Sequence, residues 1–380
     1  MLDRDQSLIY GEEHRKFRDT IRRFLECEFT PRIAEFEENG IIARDFWRKA
    51  GDVGLLCPTM PHSWGGPGLD FTFNAILNEE FTYAMMADSL TLQSDITMPY
   101  VLRYASDELK ARWLPGMLTG EIIAAIAMTE PGAGSDLQGV RTTARREGDE
   151  YVVNGSKTYI TNGQNADVIV TVTKTDPTAG ARGTSLVLVE ADRPGFARGR
   201  NLDKVGQWMA DTSELFFNDV RVPSDNLIGE ENRGFIYLVS DLPQERLSIS
   251  ISAQAAAQRA FDEAVAFTRD RSAFGKKVIE FQNTRFTLAD IKAKLQVGWA
   301  HIDWAIARHV RGELTAYEAA ASKYWHTEMA WLACDAALQL HGGAGYMNES
   351  PIARVWRDAR VRRIYGGTSE VMQELVGRGL

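Results

Sequence analysis

Residues 151–163 read YVVNGSKTYITNG, and this stretch decides the predicted fold. From about residue 122 the apolar residues recur with a period of two, which indicates β-strands. The Asn154–Gly155 pair accepts the positive φ angles of a type I′ turn, so the stretch is predicted to be a hairpin of two strands. DVIVTVTK, TSLVLVEA and ELFFNDVRVP continue the strand series. The middle of the chain is therefore predicted to be all-β.

The sequence on both sides of this β segment has helical periodicity. Stretches such as EEHRKFRDTIRRFLECEF and FNAILNEEFTYAMMA place apolar residues at i, i+3 and i+4. After the β segment the helices are longer and richer in alanine, and short breaks divide them into about four, enough for a bundle. We predict a multidomain α+β protein with an N-terminal α-helical domain over 1–121, a central β-sandwich or β-barrel domain over 122–232 and a C-terminal four-helix bundle over 233–380.

Composition and charge exclude several classes of protein. A chain of 380 residues with a net charge of −9 is long for one hydrophobic core and unsuited to binding nucleic acid. No segment approaches the roughly 20 apolar residues that span a bilayer. Cys27, Cys57 and Cys334 are odd in number and far apart, which fits reduced thiols, and the histidines show no metal-binding spacing. The acidic, helical start resembles no targeting peptide, so we expect a cytoplasmic protein without a metal.

Two short motifs in the β segment carry hydroxyls beside flexible backbone. TEPGAGSD (129–136) has glycines that let backbone N–H groups approach a ligand, and Thr129 and Ser135 add hydroxyls. It matches neither a phosphate-binding loop nor a dinucleotide-binding fingerprint, and a simple turn is an equal alternative. TYITNG (158–163) places an aromatic ring and a threonine on one face of a strand, where an ordinary cross-strand pair is the alternative.

Three further motifs lie in the C-terminal helical region. RSAFGKKVIEFQ (271–282) groups a basic residue, an aromatic and an amide, unless it is only a solvated loop between helices. Gln339 with HGGAGYM (341–347) contains a glycine pair that is typical of a helix C-terminus. IARVWRDARVRR (352–363) carries five arginines, as a solvated face, a subunit contact or a site for a phosphorylated ligand.

Charged side chains also occur where a helix should be apolar, in DLPQERLS at 241–248. Charge is seldom placed in a stripe that faces a core. Glu245 is therefore a candidate functional carboxylate, with Asp241, one turn earlier, as the competing acid. The plain structural alternative is that Glu245 only pairs with Arg246.

Taken together, in order and spacing, these motifs resemble the acyl-CoA dehydrogenase family from about residue 10 to 378. The resemblance implies a helical domain, a β-sandwich and a four-helix bundle, which agrees with the periodicity. It also implies non-covalent FAD, oxidation of the Cα–Cβ bond of an acyl thioester in fatty acid β-oxidation, and a homotetramer.

The resemblance assigns a cofactor role to each matching position. The residues expected around the flavin ring are Met128, Thr129, Gly134, Ser135, Tyr159, Ile160 and Thr161. Tyr159 departs from the family, which usually has Trp or Phe there. The residues expected to hold the pyrophosphate and adenine across a subunit boundary are Arg271, Phe274, Gln282, Gln339, His341, Gly342 and Gly343. Thr368 and Glu370 are expected to close the cofactor site from the other side.

The catalytic base is the clearest departure from most of the family. Most members carry the catalytic carboxylate in an IYEGT motif, and here the motif at 364–370 reads IYGGTSE, with Gly366 at that position. A minority, the long-chain and isovaleryl types, place a Glu directly before an Arg on the first bundle helix. PQER followed by IYGGT is most similar to the long-chain type, so Glu245 is the expected base.

Physical chemistry supports this position for the base. The α-proton of a thioester needs a carboxylate on the face opposite the hydride acceptor, and Gly366 is expected to leave room for one from the helix. Burial should raise the pKa of Glu245 toward the working pH. The Gly366 and Gly367 amides are expected to hydrogen-bond the thioester carbonyl. Ser135, Tyr237 and Arg246 are expected to hold the rest of the thioester arm.

The expected activity is FAD-dependent α,β-dehydrogenation of an acyl-CoA, with an electron-transfer flavoprotein as the electron acceptor. Three alternatives remain open. The substrate could be an acyl-carrier-protein thioester, the acceptor could be oxygen as in an acyl-CoA oxidase, or the chain could be an inactive flavin-binding partner subunit.

Overall fold

The computed structural model describes residues 2–4 and 6–380, which form helices, then strands, then helices again. The helices are α1 Glu12–Phe24, α2 Ile33–Asn39, α3 Arg44–Asp52, α4 Phe71–Tyr83, α5 Ser89–Thr91, α6 Met98–Tyr104, α7 Asp107–Thr119, α8 Gly234–Asp270, α9 Gln282–Val310, α10 Ala316–Leu340, α11 Pro351–Ala359 and α12 Ser369–Arg378. The strands are β1 Ala124–Ala127, β2 Thr143–Glu147, β3 Glu150–Thr161, β4 Val168–Lys174, β5 Thr184–Glu190, β6 Phe196–Asn201, β7 Thr212–Pro223, β8 Leu227–Ile228, β9 Ser272–Ala273 and β10 Lys276–Lys277. The domain limits predicted after residues 121 and 232 lie in the α7–β1 and β8–α8 connections.

The hairpin predicted at Asn154–Gly155 is wrong, because β3 runs unbroken through this pair. The turn lies earlier, where Glu147 of β2 pairs with Glu150 of β3. At Gly155 the register against β7 shifts, and a Cβ on this residue would lie 2.7 Å from the Thr142 Cα. The glycine therefore serves a bulge and a close backbone approach, since pairing with β7 overrides the local turn preference.

The central strands form a sandwich from one eight-stranded sheet of order β6-β7-β3-β2-β4-β5-β8, with β1 beside β4. β2 and β4 share a single pair, Thr143 with Lys174, so the sheet divides there into two halves. Tyr151 and Leu215 from one half and Val187 from the other belong to the same buried apolar cluster. The predicted helical, β and helical fold is confirmed.

The C-terminal region is a bundle in which the long helices α8, α9 and α10 pack together and the short helices α11 and α12 pack against α10. Small residues at the contact, such as Ala256, Ala260 and Ala264 of α8, allow close approach of the helices. None of the helices in the described ranges is long and apolar enough to cross a membrane.

The arginine run at 352–363 is mostly engaged within the chain. Arg354 and Arg357 both pair with Glu37 of α2, and Arg363 pairs with Glu328 of α10. The buried Arg362 lies 3.5 Å from Asp88 of the N-terminal region. The run therefore joins regions of one chain, an outcome that the sequence alternatives did not include.

Candidate active site

Glu245 lies near the start of α8 with only 6% of its surface exposed. The Tyr100 hydroxyl of α6 donates a hydrogen bond of 2.8 Å to Glu245 Oε1. Burial raises the pKa of Glu245 to about 7, although the Tyr100 hydrogen bond and the charge of Arg246 oppose this rise. A carboxyl group with a pKa near neutrality is suited to accept a proton at physiological pH.

Arg246 does not neutralise its neighbour by direct contact. No ion pair joins Glu245 and Arg246 in the part of the chain that the structure describes, which disfavours the plain structural alternative. Arg246 Nε instead lies 3.5 Å from the Gly366 carbonyl oxygen, which accepts its hydrogen bond. The guanidinium thus connects α8 to the turn that precedes α12.

This turn is made by two glycines in the left-handed region, Gly366 at φ +64° and Gly367 at φ +99°. Glycine adopts these angles without steric cost. The Gly366 N–H donates no hydrogen bond within the described ranges and remains available to a carbonyl oxygen, whereas the Gly367 N–H closes the turn at 364–366. The fully buried Lys323 of α10 donates to the Gly367 carbonyl at 2.5 Å, and burial lowers the pKa of Lys323 to about 8.

A side chain of α8 lies close to Gly366, and the expectation that this glycine leaves room for the base stays a prediction. A Cβ at position 366 would lie 2.3 Å from Ile249 Cδ1, the end of a side chain that would have to move to admit it. Ile249 follows Glu245 by four residues, so both side chains lie on the same face of α8. Ile249 Cδ1 therefore lies close to where the first side-chain atom of a residue at position 366 would be.

Asp241, the competing acid, is already paired. Its buried carboxylate forms an ion pair with Arg103, a residue of α6 whose guanidinium also donates 2.7 Å to Gln244 Oε1. A carboxylate beside a guanidinium is stabilised in its charged form and is a weak base. The geometry therefore favours Glu245 over Asp241.

A buried polar contact fixes α8 against the N-terminal region. Asp95 lies in a π-helical segment, Leu92–Thr97, and accepts hydrogen bonds from Asn74 at 2.6 Å and from Ser248 at 2.7 Å. Burial raises the pKa of Asp95 to about 6. Because Ser248 follows Glu245 by three residues, this contact also orients the helical turn that carries the candidate base.

The aromatic ring expected at the flavin lies on the surface of the β domain. The register between β3 and β7 shifts between Lys157 and Ile160, and Tyr159 within this bulge has φ +60°. Its side chain is 69% exposed, which is unusual for a ring held by a strained backbone. Ile160 is buried in the sandwich core, so only its backbone can reach a ligand, whereas Thr161 is half-buried.

The loop at 129–136 is held to β3 by a buried ion pair that sequence reasoning missed. Lys157 Nζ donates 2.8 Å to Glu130 Oε1 and 3.0 Å to the carbonyl of Met128. The Glu130 carboxylate also accepts the N–H groups of residues 141 and 142. The exposed Gly134 and Ser135 extend from this fixed base, and a Cβ at Gly134 would meet nothing within 4 Å.

An exposed ring, free hydroxyls and an open glycine loop therefore lie on one domain. Thr129 belongs to the same surface, because its carbonyl accepts the N–H of Thr158 at 2.9 Å. These groups fit the face and the polar edge of a flavin.

Arg271, Phe274 and Gln282 form a second, separate group on the β9–β10 hairpin and the start of α9. All three are exposed, and Phe274 is 96% exposed with φ +51°. Within the described ranges no hydrogen bond, ion pair or ring contact joins them to the 128–161 group. Their predicted role at a neighbouring subunit's cofactor thus stays a prediction.

The 339–343 segment presents backbone more than side chains. Gln339 is exposed, and a Cβ at Gly342 or Gly343 would meet nothing within 4 Å. The His341 ring is buried, with Nδ1 2.8 Å from the Ala337 carbonyl oxygen and the ring stacked on Phe267. The His341 side chain is therefore held within its own chain, and its predicted cofactor role stays a prediction.

The three remaining candidate residues are Thr368 and Glu370 at the start of α12 and Tyr237 on α8. Thr368 Oγ1 accepts the N–H of Val371 and caps α12, while Glu370 is exposed in the first turn of that helix. The Tyr237 hydroxyl accepts the Glu230 N–H at 3.0 Å, and its ring stacks on another tyrosine at 4.2 Å. These contacts fix the side chains but leave their predicted ligand roles untested.

Four side chains of the site were not predicted from the sequence: Tyr100, Lys157, Ile249 and Lys323. Each of them contacts, or fills space beside, a residue at least 27 positions away in the sequence. The long-range hydrogen bonds of Tyr100 and Lys157 are examples. The available signal was weak. A tyrosine or lysine in an otherwise buried stretch indicates that its polar group is hydrogen-bonded. The sequence does not show which residue is the hydrogen-bond partner.

The fold and this site indicate the class of protein to which the chain belongs. Family models for the N-terminal, middle and C-terminal domains of acyl-CoA dehydrogenase match residues 11–121, 125–220 and 232–380. The chain belongs to the acyl-CoA dehydrogenase family and is an oxidoreductase.

Individual relatives extend over nearly the whole chain. The long-chain specific acyl-CoA dehydrogenase, mitochondrial, of Sus scrofa is 45% identical over 97% of this chain and 87% of its own length. A solved acyl-CoA dehydrogenase from Geobacillus kaustophilus is 46% identical, with a TM-score of 0.96 over 98% of this chain and 99% of that chain. A glutaryl-CoA dehydrogenase from Mycobacterium smegmatis, solved in complex with FADH2, is 26% identical, with a TM-score of 0.91 over 99% and 96% of the two chains. The predicted resemblance to the long-chain type is confirmed, and the family implies a flavin.

Proposed function

We propose that this protein oxidises an acyl-CoA thioester to its trans-2-enoyl thioester with FAD as cofactor. Glu245 is the base that takes the α-proton. The observation that carries this assignment is the buried Glu245 carboxylate, which forms no ion pair with any described residue and has a pKa of about 7. Family membership and the pairing of Asp241 with Arg103 support it.

The chain's own groups would bind and polarise the thioester. The N–H groups of Gly366 and Gly367 would bind the carbonyl oxygen, where they would stabilise the charge that develops as the α-proton leaves. Lys323 holds this turn through the Gly367 carbonyl. Arg246, Tyr237 and Ser135 would bind the rest of the thioester arm.

The residues of the β-domain surface would hold FAD, which accepts the β-hydride when bound. Tyr159 would cover the ring, and Thr129, Ser135 and Thr161 would bind its polar edge. Arg271, Phe274 and Gln282 are exposed on the same chain and free to reach the cofactor of a neighbouring subunit. We therefore propose a homotetramer, with an electron-transfer flavoprotein as electron acceptor and a cytoplasmic location.

The proposal is tested by adding acyl-CoA to the purified flavoprotein without oxygen. We expect the yellow flavin absorbance to bleach. Because the Sus scrofa relative is a long-chain enzyme, a panel of saturated acyl-CoA esters should include long chains. If none of the thioesters bleaches the flavin, the protein would instead be an inactive flavin-binding subunit.

The same assay separates the remaining alternatives. Faster bleaching by acyl-carrier-protein esters than by CoA esters would identify a carrier-protein dehydrogenase. Rapid reoxidation of the bleached enzyme by air, with formation of peroxide, would identify an oxidase. Slow reoxidation by air and fast reoxidation by an electron-transfer flavoprotein is the expected result.

The first prediction concerns flavin retention. Thr161→Ala and Arg271→Ala should each weaken FAD binding without unfolding the protein, because each loses a hydrogen bond worth roughly 0.5–3 kcal/mol, more for the charged group. Equilibrium dialysis of FAD measures the change, and Thr178→Ala, on an exposed turn, is the control. Unchanged affinity in both variants would remove these residues from the cofactor site. Light scattering on the same samples reports the oligomeric state.

A further inference from the structure

We propose that Tyr100 is a positioning residue for the catalytic base: its hydroxyl fixes Oε1 of Glu245 and leaves Oε2 to take the α-proton. This inference rests on the proposed role of Glu245. It gives the N-terminal helical region a direct contact with the base itself, beside the contact of Asp95 with Ser248.

The geometry of the contact supports this role. Tyr100 is fully buried on α6, and its hydroxyl lies 2.8 Å from Oε1. It is the only hydrogen-bond donor to the Glu245 carboxylate in the described ranges, and Oε2 has no hydrogen-bond partner there. One fixed oxygen restricts rotation about the last side-chain bond, so the free oxygen has a defined direction.

Toward the ionised carboxylate of Glu245, Tyr100 acts as the hydrogen-bond donor. Burial and the neighbouring carboxylate raise the pKa of Tyr100 well above its usual value. The hydroxyl therefore stays protonated throughout the pH range in which Glu245 titrates. Since a hydrogen bond to a carboxylate favours its charged form, Tyr100 also keeps the base more ionised than burial alone would allow.

The other ionisable groups packed around this turn of α8 have partners elsewhere. Asp241 pairs with Arg103, which also donates to Gln244, and Asp95 is bonded to asparagine and serine side chains. On α9 and α10, His309 and Lys323 approach Gln244 and Gly367, respectively. Among charged groups, only Arg246 opposes the raised pKa of Glu245, and it does so without contact.

The test is Tyr100→Phe, which removes one oxygen and keeps the ring. The midpoint of the acid limb in the pH profile of anaerobic flavin reduction should move up by about one unit. The plateau rate at high pH should fall by less than about tenfold, because the base is still present. A purely structural change would lower the rate at every pH and leave the midpoint in place.

A matched control is offered by Tyr83 of α4, whose acceptor lies on the same helix, α8, as Glu245. Tyr83→Phe also removes a tyrosine hydroxyl that donates to a carboxylate of α8, Asp262 Oδ2 at 2.8 Å. Asp262 is 17 residues from Glu245 by sequence number, about 25 Å along the helix. The Tyr83→Phe profile should match that of the unaltered protein.

A second substitution keeps the side-chain volume and guards against misfolding. Replacing Tyr100 with 3,5-difluorotyrosine makes the hydroxyl a stronger donor, so the midpoint should move down instead of up. Opposite shifts with the phenylalanine and fluorinated side chains would support the proposal. An unmoved midpoint in both proteins would overturn it.

Glu245→Gln distinguishes this failure from failure of the proposed function. If Glu245→Gln loses flavin reduction while Tyr100→Phe leaves the midpoint unmoved, only the role of Tyr100 is overturned. If Glu245→Gln still reduces its flavin at a normal rate, the base assignment fails and the role of Tyr100 fails with it. In the Glu245→Gln background, Tyr100→Phe should produce no further loss, because the carboxylate is absent.

Discussion

Glu245→Gln should retain FAD and bind acyl-CoA, yet lose roughly 10²–10⁴-fold in the rate of anaerobic flavin reduction. The amide has nearly the same shape and can still accept the Tyr100 hydrogen bond, but it cannot take the α-proton. Stopped-flow absorbance after mixing with acyl-CoA measures the rate, and bound flavin per subunit checks the fold.

The matched control is Asp241→Asn, four residues earlier on the same helix. Its carboxylate is occupied by Arg103, so the rate should change by less than about tenfold. A Glu245→Gln protein that reduces its flavin at a near-normal rate would contradict the assignment and leave Asp241 as the next candidate.

The pH dependence of the unaltered protein follows from the same carboxylate. Glu245 must be ionised to accept a proton, and its pKa is about 7. The rate of flavin reduction should therefore increase with pH through about 7 and level off above it. Well below that value, each pH unit of acidification should lower the rate tenfold. Loss of this limb in Glu245→Gln would assign it to the base.

The second large effect concerns moving the base to the position used by most of the family. Glu245→Gly with Gly366→Glu should lose most of the activity, because the new Cβ would lie 2.3 Å from Ile249 Cδ1 and is admitted only if that side chain moves, and because the backbone at 366 is left-handed. Misplacing a reacting group by an ångström costs on the order of 10²-fold in rate. Adding Ile249→Val removes the obstructing Cδ1 atom, and the next Ile249 atom, Cγ1, lies at an ordinary 3.9 Å. The triple variant should therefore recover at least about tenfold over the double variant.

The comparison between double and triple variants isolates the obstruction. Both variants carry a glutamate in the left-handed backbone conformation at position 366. The strain of that conformation is the same in both and cancels in the comparison. Ile249→Val alone should cost about 0.5–1.5 kcal/mol of stability and little activity. Equal activity of the double and triple variants would show that Ile249 does not block this position.

Much of the site could be predicted, because the information is local in the chain. The order of periodicities, the TEPGAGSD and IYGGTSE motifs and the carboxylate of PQER all lie within short stretches of sequence. The pKa of Glu245 was also predicted in direction, since a carboxyl group in an apolar helical stripe must lose solvent on folding. The wrong prediction of a hairpin at Asn154–Gly155 has the opposite cause, because the contacts that decide this structure are distant in the sequence. A pair with strong turn preference was overridden by strand pairing with residues more than 60 positions away.

The sequence by itself determined the class of this protein and the residue that should act as its base. Periodicity sets which segments are helices and strands, and PQER followed by IYGGT indicates Glu245 as the proposed base. Only the tertiary structure decided how that base is held. Tyr100 is 145 positions from Glu245, and the volume beside Gly366 is filled by Ile249 from 117 positions away. Contacts at such separations depend on how α6, α8 and the glycine turn pack in three dimensions, which no local pattern of residues encodes.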